Sequence, residues 1–446
     1  MKVSQNWLKE LVDINSTPEV LAEKLSIGGF EVESLKDTSL QVKGVLLGNV
    51  LSVEKHPNST KLSVCQVDIG NKNILQIVCG AKNIKSDIHV YVATVGSYLS
   101  SIDLSIKKSE IRGVSSEGMI CSLEELGLDT NSDGIEIIDP LTIKDHKLGT
   151  EASKILGLND HIFDLAITAN RPDGMSVIGI AREISALLQT KLTLPPEHEI
   201  INLNAFKENK LCQETINKEC IYTISFIDNV NGKQTSPKWI KERLEKSDIK
   251  SKNLIVDITN YILLEQGQPL HAFDLDKLSQ LIGREVLPED FGVRKAKNGE
   301  FLMALDGIKY ELNENISIVV CSDKPVAIAG VIGGLETAVT EQTSSIILEG
   351  AVFNPSIIRK SSREVGIRTE SSSRFEKGIS YRNTLNSLSR AFYLLNKYFK
   401  ESKPTIYSSR ILNKEKKSIK LRRERIFKIL GPIVFKSKDE LGKIQV

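Results

Sequence analysis

A chain of 446 residues is too long for one ordinary core, so about two to four domains are expected. Its 40% apolar and 26% charged residues are those of a packed globular protein and exclude a disordered one. A formal net charge of only +2 excludes a globally electropositive nucleic-acid binder, so any RNA contact must come from local basic patches. Cys65, Cys79, Cys121, Cys212, Cys220 and Cys321 are scattered without a CxxC pair. They read as buried thiols in a reducing compartment, with no metal site and no disulfide framework expected.

The opening MKVSQNWLKELVDI places Trp7, Leu8, Leu11 and Val12 on one helical face and lacks the apolar centre of a signal peptide. No run of eighteen apolar residues follows, so a cytosolic chain is expected, or one in an organellar stroma or matrix, with no membrane partner. Thr17 and Pro18 start a second helix, and a strand completes residues 1–39. From about 40 to 150 the pattern changes to short strands: VLLGNVLSVEKH, LSVCQVDIG, NILQIVCG and HVYVATVGSYL. That spacing predicts a small closed barrel of the OB type. Residues 151–200 hold an amphipathic helix in SVIGIAREISALLQ, with Arg182 and Glu183 expected as an ion pair and Pro195–Pro196 as a linker. Residues 210–400 read as a long α+β region, and from Thr405 a basic unit, KEKKSIKLRRERIFKIL, is expected to begin.

The barrel segment carries chemistry in its turn. His56, Pro57, Asn58, Ser59 and Thr60 lie between Lys55 and Lys61, a hydrogen-bonding loop with two cations suited to phosphate and sugar. An ordinary surface hairpin with solvated lysines has the same composition. Aromatic platforms are sparse, with Tyr91 and Tyr98 alone, which argues against strong single-strand binding. The blocks HPNSTKLSVCQVDIG, QIVCGAKNI and SEIRGVSSEGMICSLEELGL resemble the tRNA-binding barrel of several aminoacyl-tRNA synthetases and their accessory factors. The resemblance implies that Lys55, His56, Asn58 and Lys61 meet tRNA.

Three blocks of the 210–400 region read together. In NLIVDITNYILLEQGQPLHAFDLDKL, Leu254–Val256 begin a strand or a buried helix, and the Gly267–Pro269 turn delivers His271 to a new element. KPVAIAGVIGG reads as an apolar strand ending in Gly333–Gly334, whose amides could line a pocket. In SIILEGAVFNPSIIRKSSREVGIRTESSSRFEKG, Glu349 closes an apolar strand and Thr369–Ser373 are rich in hydroxyls. A buried carboxylate is costly unless a hydroxyl, amide or cation meets it. No GxSxG, His–Cys dyad or metal-ligand cluster is present, so neither nucleophilic nor zinc hydrolysis is supported.

FDLAITANRPDGMSVIGIAREISALL and the three blocks resemble the beta-subunit family of bacterial phenylalanyl-tRNA synthetases. The resemblance implies a multidomain α+β chain. Residues 1–39 and 151–200 would form one discontinuous domain around the inserted barrel at 40–150, followed by an editing domain at 210–400. Residues 405–446 would be the incomplete start of a small helical domain. It also implies an editing site that hydrolyses mischarged Tyr-tRNA(Phe), with His271, Asn260, Thr259, Gly333, Glu349 and Thr369 at the chemistry. Glu349, Lys250 and Ser371 would contact the substrate. Ser371 stands where some members have alanine, and Lys250 where some have arginine. The implied partners are an alpha subunit, in an α2β2 tetramer, and tRNA(Phe). ATP and Mg2+ would serve the complete synthetase, with no cofactor bound by this chain. The match covers about residues 1–431 and about half of the family's subunit, so a fragment, a truncated gene or a frameshifted product is expected. A tRNA-binding or assembly module with an inactive editing pocket is the alternative.

Overall fold

A computed structural model describes residues 1–70, 73–129, 131–197, 202–205, 220–399, 405–409, 418, 420–431, 437–438 and 444–445. Two compact units are formed, Met1–Ser409 and Arg410–Val446. Cys212 lies outside the described residues; of the other thiols, Cys65, Cys79, Cys121 and Cys321 are buried and Cys220 is half-buried. No helix among the described residues is long and apolar enough to cross a membrane.

Both flanks of the barrel meet in one small sheet, where His161–Ala166 lies between Lys2–Ser4 and Glu31–Asp37. Short local devices fix this region. Ser4 caps the helix Gln5–Leu11 by accepting from Trp7 N, and its own hydroxyl donates to buried Asp160 at 2.5 Å. Thr17 caps Pro18–Ile27, with Pro18 at the first position where its missing N–H costs nothing. Ser176 caps Val177–Leu188, and Gln189 in the left-handed region ends it. The expected Arg182–Glu183 pair is not made. Neighbours in a helix point about 100° apart, and Glu183 is met instead by Arg171 at 2.8 Å. Arg171 also binds Asp173 at 2.8 Å and lies 4.2 Å over the ring of Phe30.

Between the flanks, the strand Val45–Lys55 pairs with both Ile88–Thr94 and Ser63–Asp68, and the latter with Ile74–Cys79. Gly118–Ile120 adds to the far edge of Ile88–Thr94. A bond from Glu117 N to Gln76 O, at 2.8 Å, draws the two end strands together into a nearly closed barrel. Its inside is filled by alternate residues such as Val50, Cys65, Val67, Ile77, Val90 and Val92. Of the two sparse aromatics, Tyr91 belongs to the core and Tyr98 is exposed.

The rest of the larger unit is built on a five-stranded sheet. Its order is Asn202–Ala205, Thr405–Ser408, Ile221–Ile227, Ile346–Val352 and Leu270–Asp274. The expected start of a new unit at Thr405 is therefore corrected. Thr405–Ser408 pairs with strands on both sides and buries Ile406 and Ser408, so it belongs to this sheet. A four-residue strand just after Pro404 carries too little periodicity to reveal that. One face of the sheet packs on helices Leu254–Gln266 and Tyr381–Tyr398 in a core that runs on into the N-terminal helices. Trp7 stacks on Tyr261 at 5.0 Å, a contact worth about 0.5–1.5 kcal/mol beyond its buried area. The opposite face packs against a second sheet, Phe291–Lys295, Ser317–Cys321, Lys324–Ile328 and Ile332–Gly333. In the smaller unit, Arg423–Leu430 forms a helix.

Candidate functional site

The candidate site opens beside the face of the five-stranded sheet that meets the second sheet. Antiparallel pairing sets His271 opposite Glu349, and Ile224 opposite Glu349 from the other side. Residues directly opposite share a face, and the period of two puts Tyr222, Ile347, Ala351 and Phe273 on that face as well. All four belong to its apolar core, so Glu349 is a carboxyl set among hydrocarbon. Glu349 lies mid-strand in Ile346–Val352 and not at the strand's end as expected.

A cavity of about 310 Å³ gathers Thr259, Asn260, His271, Gly333, Glu349 and Ser371 from segments over a hundred residues apart. Thr259 and Asn260 ride on the helix Leu254–Gln266, so Leu254–Val256 start a helix and not a strand. Asn253 caps it by accepting from Val256 N at 3.1 Å. Fully buried Asp257 accepts from Ser236 Oγ at 2.6 Å, from Ser251 Oγ, and from Lys252 N at 2.8 Å. That carboxylate fixes the loop so that Lys252 lines the cavity, whereas the expected Lys250 is exposed and outside it. The loop is irregular, and spacing alone could not tell which lysine turns inward.

His271 follows a locked turn. Gly267, at φ +73°, ends the helix, and buried Gln268 donates to Pro269 O and Ala351 O, each at 3.0 Å. The Gln268 carbonyl accepts from Thr384 Oγ1 at 2.8 Å. The His271 ring packs edge-on against Phe273 at 4.4 Å, and its Nε2 is buried with no hydrogen-bond partner among the described residues. Burial drives its pKa down to about 4, so the ring is neutral at neutral pH. The opposite holds for Glu349, whose carboxyl is pushed up to about 7 by burial. One hydrogen bond works against that shift, from Tyr222 Oη to Glu349 Oε2 at 2.7 Å.

The glycine block is a hairpin rather than one strand: Lys324–Ile328 turns back into Ile332–Gly333. The positive φ of this block sits at Gly330, +65°, where the chain reverses. Gly333 is needed for close approach instead, since a Cβ there would stand 2.4 Å from His271 Cε1. Gly334 N is engaged with Val326 O at 2.9 Å, so that amide is not offered to a ligand. Thr369 does not line the cavity. It caps Glu370–Phe375, accepting from Ser372 N, and its hydroxyl donates to Val331 O at 2.9 Å. It thereby ties the helix carrying Ser371 to the turn after Gly330. Tyr222, Asp257 and Gln268 were missed by sequence reasoning. The alternation in IYTISFI was available, but not which strand Tyr222 would face.

On the barrel, Lys55 and Lys61 are exposed. His56 is not: it is 4% exposed, its Nδ1 accepts from Asn58 N and its Nε2 meets Ile111 O, both at 3.0 Å. Asn58 is exposed and donates from Nδ2 to Arg112 O at 2.9 Å. His56 and Asn58 therefore brace the loop against the 109–116 hairpin, and the two lysines are the groups presented outward.

Two family models match the chain, a tRNA binding domain over residues 45–145 and a B3/4 domain over 219–400. The phenylalanine–tRNA ligase beta subunit of Prochlorococcus marinus subsp. pastoris is 67% identical over 98% of this chain and 54% of that protein. The beta subunit from strain MIT 9312 is 66% identical over 100% of this chain and 54% of that one. The one from Parasynechococcus marenigrum is 47% identical over 99% and 54%. The chain thus spans about half the length of the curated relatives it matches.

Proposed function

The chain belongs to the phenylalanine–tRNA ligase beta-subunit family, of which it represents roughly the N-terminal half, and on that premise we propose that it binds tRNA(Phe) and hydrolyses tyrosine wrongly attached to it. The observation that carries the proposal is the cavity between the sheets, which holds a buried carboxyl and an imidazole nitrogen without a hydrogen-bond partner among the described residues.

An added hydroxyl on an apolar side chain is poorly excluded by a first binding site, so a second site that pairs with the hydroxyl supplies the discrimination. Glu349 is the group that would pair with it. Because Tyr222 already meets one carboxyl oxygen, phenylalanine would forgo one hydrogen bond and not strand a bare charge. That difference is roughly 1–1.5 kcal/mol for a neutral carboxyl and about 1.5–3 for an ionised one. In hydrolysis, water adds to the ester carbonyl carbon, and the carbonyl–oxygen bond to the terminal ribose breaks, releasing tyrosine and the free hydroxyl. His271 Nε2 and the Asn260 amide would orient that water and Thr259 would line its path; positioning alone is a large part of such catalysis. Lys252 replaces Lys250 as the cation nearest the tRNA end, and Thr369 supports the site through Val331.

We assign residues 1–39 and 151–200 to one domain around the barrel at 40–150, with Lys55 and Lys61 meeting tRNA phosphates. The editing domain takes in the strand Thr405–Ser408. An alpha subunit, as part of an α2β2 tetramer in the cytoplasm, would supply aminoacylation with ATP and Mg2+. The described residues include no group of three or more His, Cys, Asp or Glu fit to hold a metal, and no step is routed through one. The test is deacylation of Tyr-tRNA(Phe) against Phe-tRNA(Phe) by the purified chain. Selective loss of tyrosine is expected, and equal, background rates for both would leave a tRNA-binding module with an inactive pocket.

A further inference from the structure

We infer that Tyr222 is a positioning residue of the editing cavity, holding Glu349 Oε2 so that Oε1 is the oxygen left to read the tyrosine hydroxyl. The inference rests on the proposed editing reaction and extends it to a residue that does not line the cavity.

Four observations support it. The Tyr222 hydroxyl is 2.7 Å from Glu349 Oε2, and the residues are 1% and 8% exposed. The residue is held at its ring and at its backbone. It stacks on Phe291 at 6.3 Å, while Tyr222 N donates to Ser409 Oγ at 2.9 Å and Tyr222 O accepts from Ser409 N at 2.8 Å. Glu349 is therefore gripped from behind by a strand whose own position is fixed. A glutamate has three rotatable bonds, and among the described residues the Tyr222 hydroxyl is the hydrogen-bond partner that chooses among its rotamers. Tyr222 from one neighbouring strand and His271 from the other are the titratable groups that face it along the sheet, with Lys252 on the cavity wall.

The hydroxyl also favours the ionised carboxyl, which burial opposes. Removing it should leave Glu349 looser and protonated to higher pH. The two effects are separable, because looseness weakens discrimination at every pH while protonation moves the profile.

The experiment is Tyr222→Phe in the full chain. Deacylation of Tyr-tRNA(Phe) and Phe-tRNA(Phe) is measured per folded molecule from pH 5.5 to 9, and infrared difference spectra follow the Glu349 carboxyl. We expect the tyrosine-over-phenylalanine rate ratio to fall about tenfold, as for one lost hydrogen bond of about 1.4 kcal/mol. The carboxyl titration should move to higher pH. In a Glu349→Ala background the same substitution should leave the ratio within about twofold, because Tyr222 then has nothing to position. This second comparison also guards against a Tyr222→Phe chain that is merely less stable. An unchanged ratio and titration in Tyr222→Phe overturn the inference alone, as does an equal loss in both backgrounds. A wild-type chain that does not deacylate Tyr-tRNA(Phe) at all overturns the editing reading, and this inference falls with it.

Discussion

Gly333→Ala tests the geometry of the cavity most directly. The backbone at Gly333 is not in the left-handed region, so alanine is conformationally compatible there. On backbone entropy alone it should stabilise the fold by about 0.4–1 kcal/mol. Space decides otherwise. The new methyl would stand 2.4 Å from His271 Cε1, 2.7 Å from its Nε2 and 3.1 Å from Leu305 Cδ1. Carbon atoms reach their favourable separation at about 3.5 Å, so the imidazole must retreat by about 1 Å. Phe273 packs edge-on against the imidazole at 4.4 Å and restricts that movement. Overpacking of this kind costs about 1–3 kcal/mol, which exceeds the entropic gain. A displacement of about 1 Å at a reacting centre can cost about a hundredfold in rate. The assay is a denaturant midpoint beside Tyr-tRNA(Phe) deacylation per folded molecule, for Gly333→Ala with His271 present and with His271→Ala. The stability loss should largely vanish in the second background, where the methyl occupies the room the ring has left. The same loss in both backgrounds would refute the close approach of Gly333 and His271 as the cause.

Stability should also depend on pH through the two titrating groups of the cavity. Glu349 is raised from 4.5 to about 7, so its contribution is full below pH 4.5 and is lost as pH rises through 7. The loss is about 3 kcal/mol at about 1.4 kcal/mol per pH unit, and Glu349→Gln should flatten it in a pH series of denaturant midpoints. His271 is lowered from 6.5 to about 4, so its contribution is full above pH 6.5 and is lost as pH falls through 4, by a similar amount. On the barrel, Lys55→Ala and Lys61→Ala should each weaken tRNA binding and reduce the slope of log affinity against log salt by about 1, read by filter binding. His56→Ala should instead lower folding stability by about 1–3 kcal/mol, read from the denaturant midpoint, since it removes two part-buried hydrogen bonds. Arg171→Ala should cost about 1 kcal/mol, through lost ion pairs and its contact with Phe30, while exposed Arg182→Ala stays within about 0.5, by thermal unfolding.

Much of this protein was legible from its residues. The helix start at Thr17 and the short-strand rhythm of the barrel are local properties, set by side chains within a few positions of the backbone groups they satisfy. The unusual character of His271, Gly333 and Glu349 was also legible, because a polar group or a paired glycine inside an apolar run stands out by itself. Partnership was not. Which residue meets Glu349, which lysine turns into the cavity and which glutamate pairs with Arg171 depend on strand register and loop path, and those are fixed by packing between segments distant in sequence. Thr369 and His56 show the same division. Each stands out in the sequence as a polar residue at a special place, and its hydrogen bonds brace a neighbouring segment. Only the tertiary structure, which supplies those distant neighbours, decides whether such a group faces a ligand or holds the element that does.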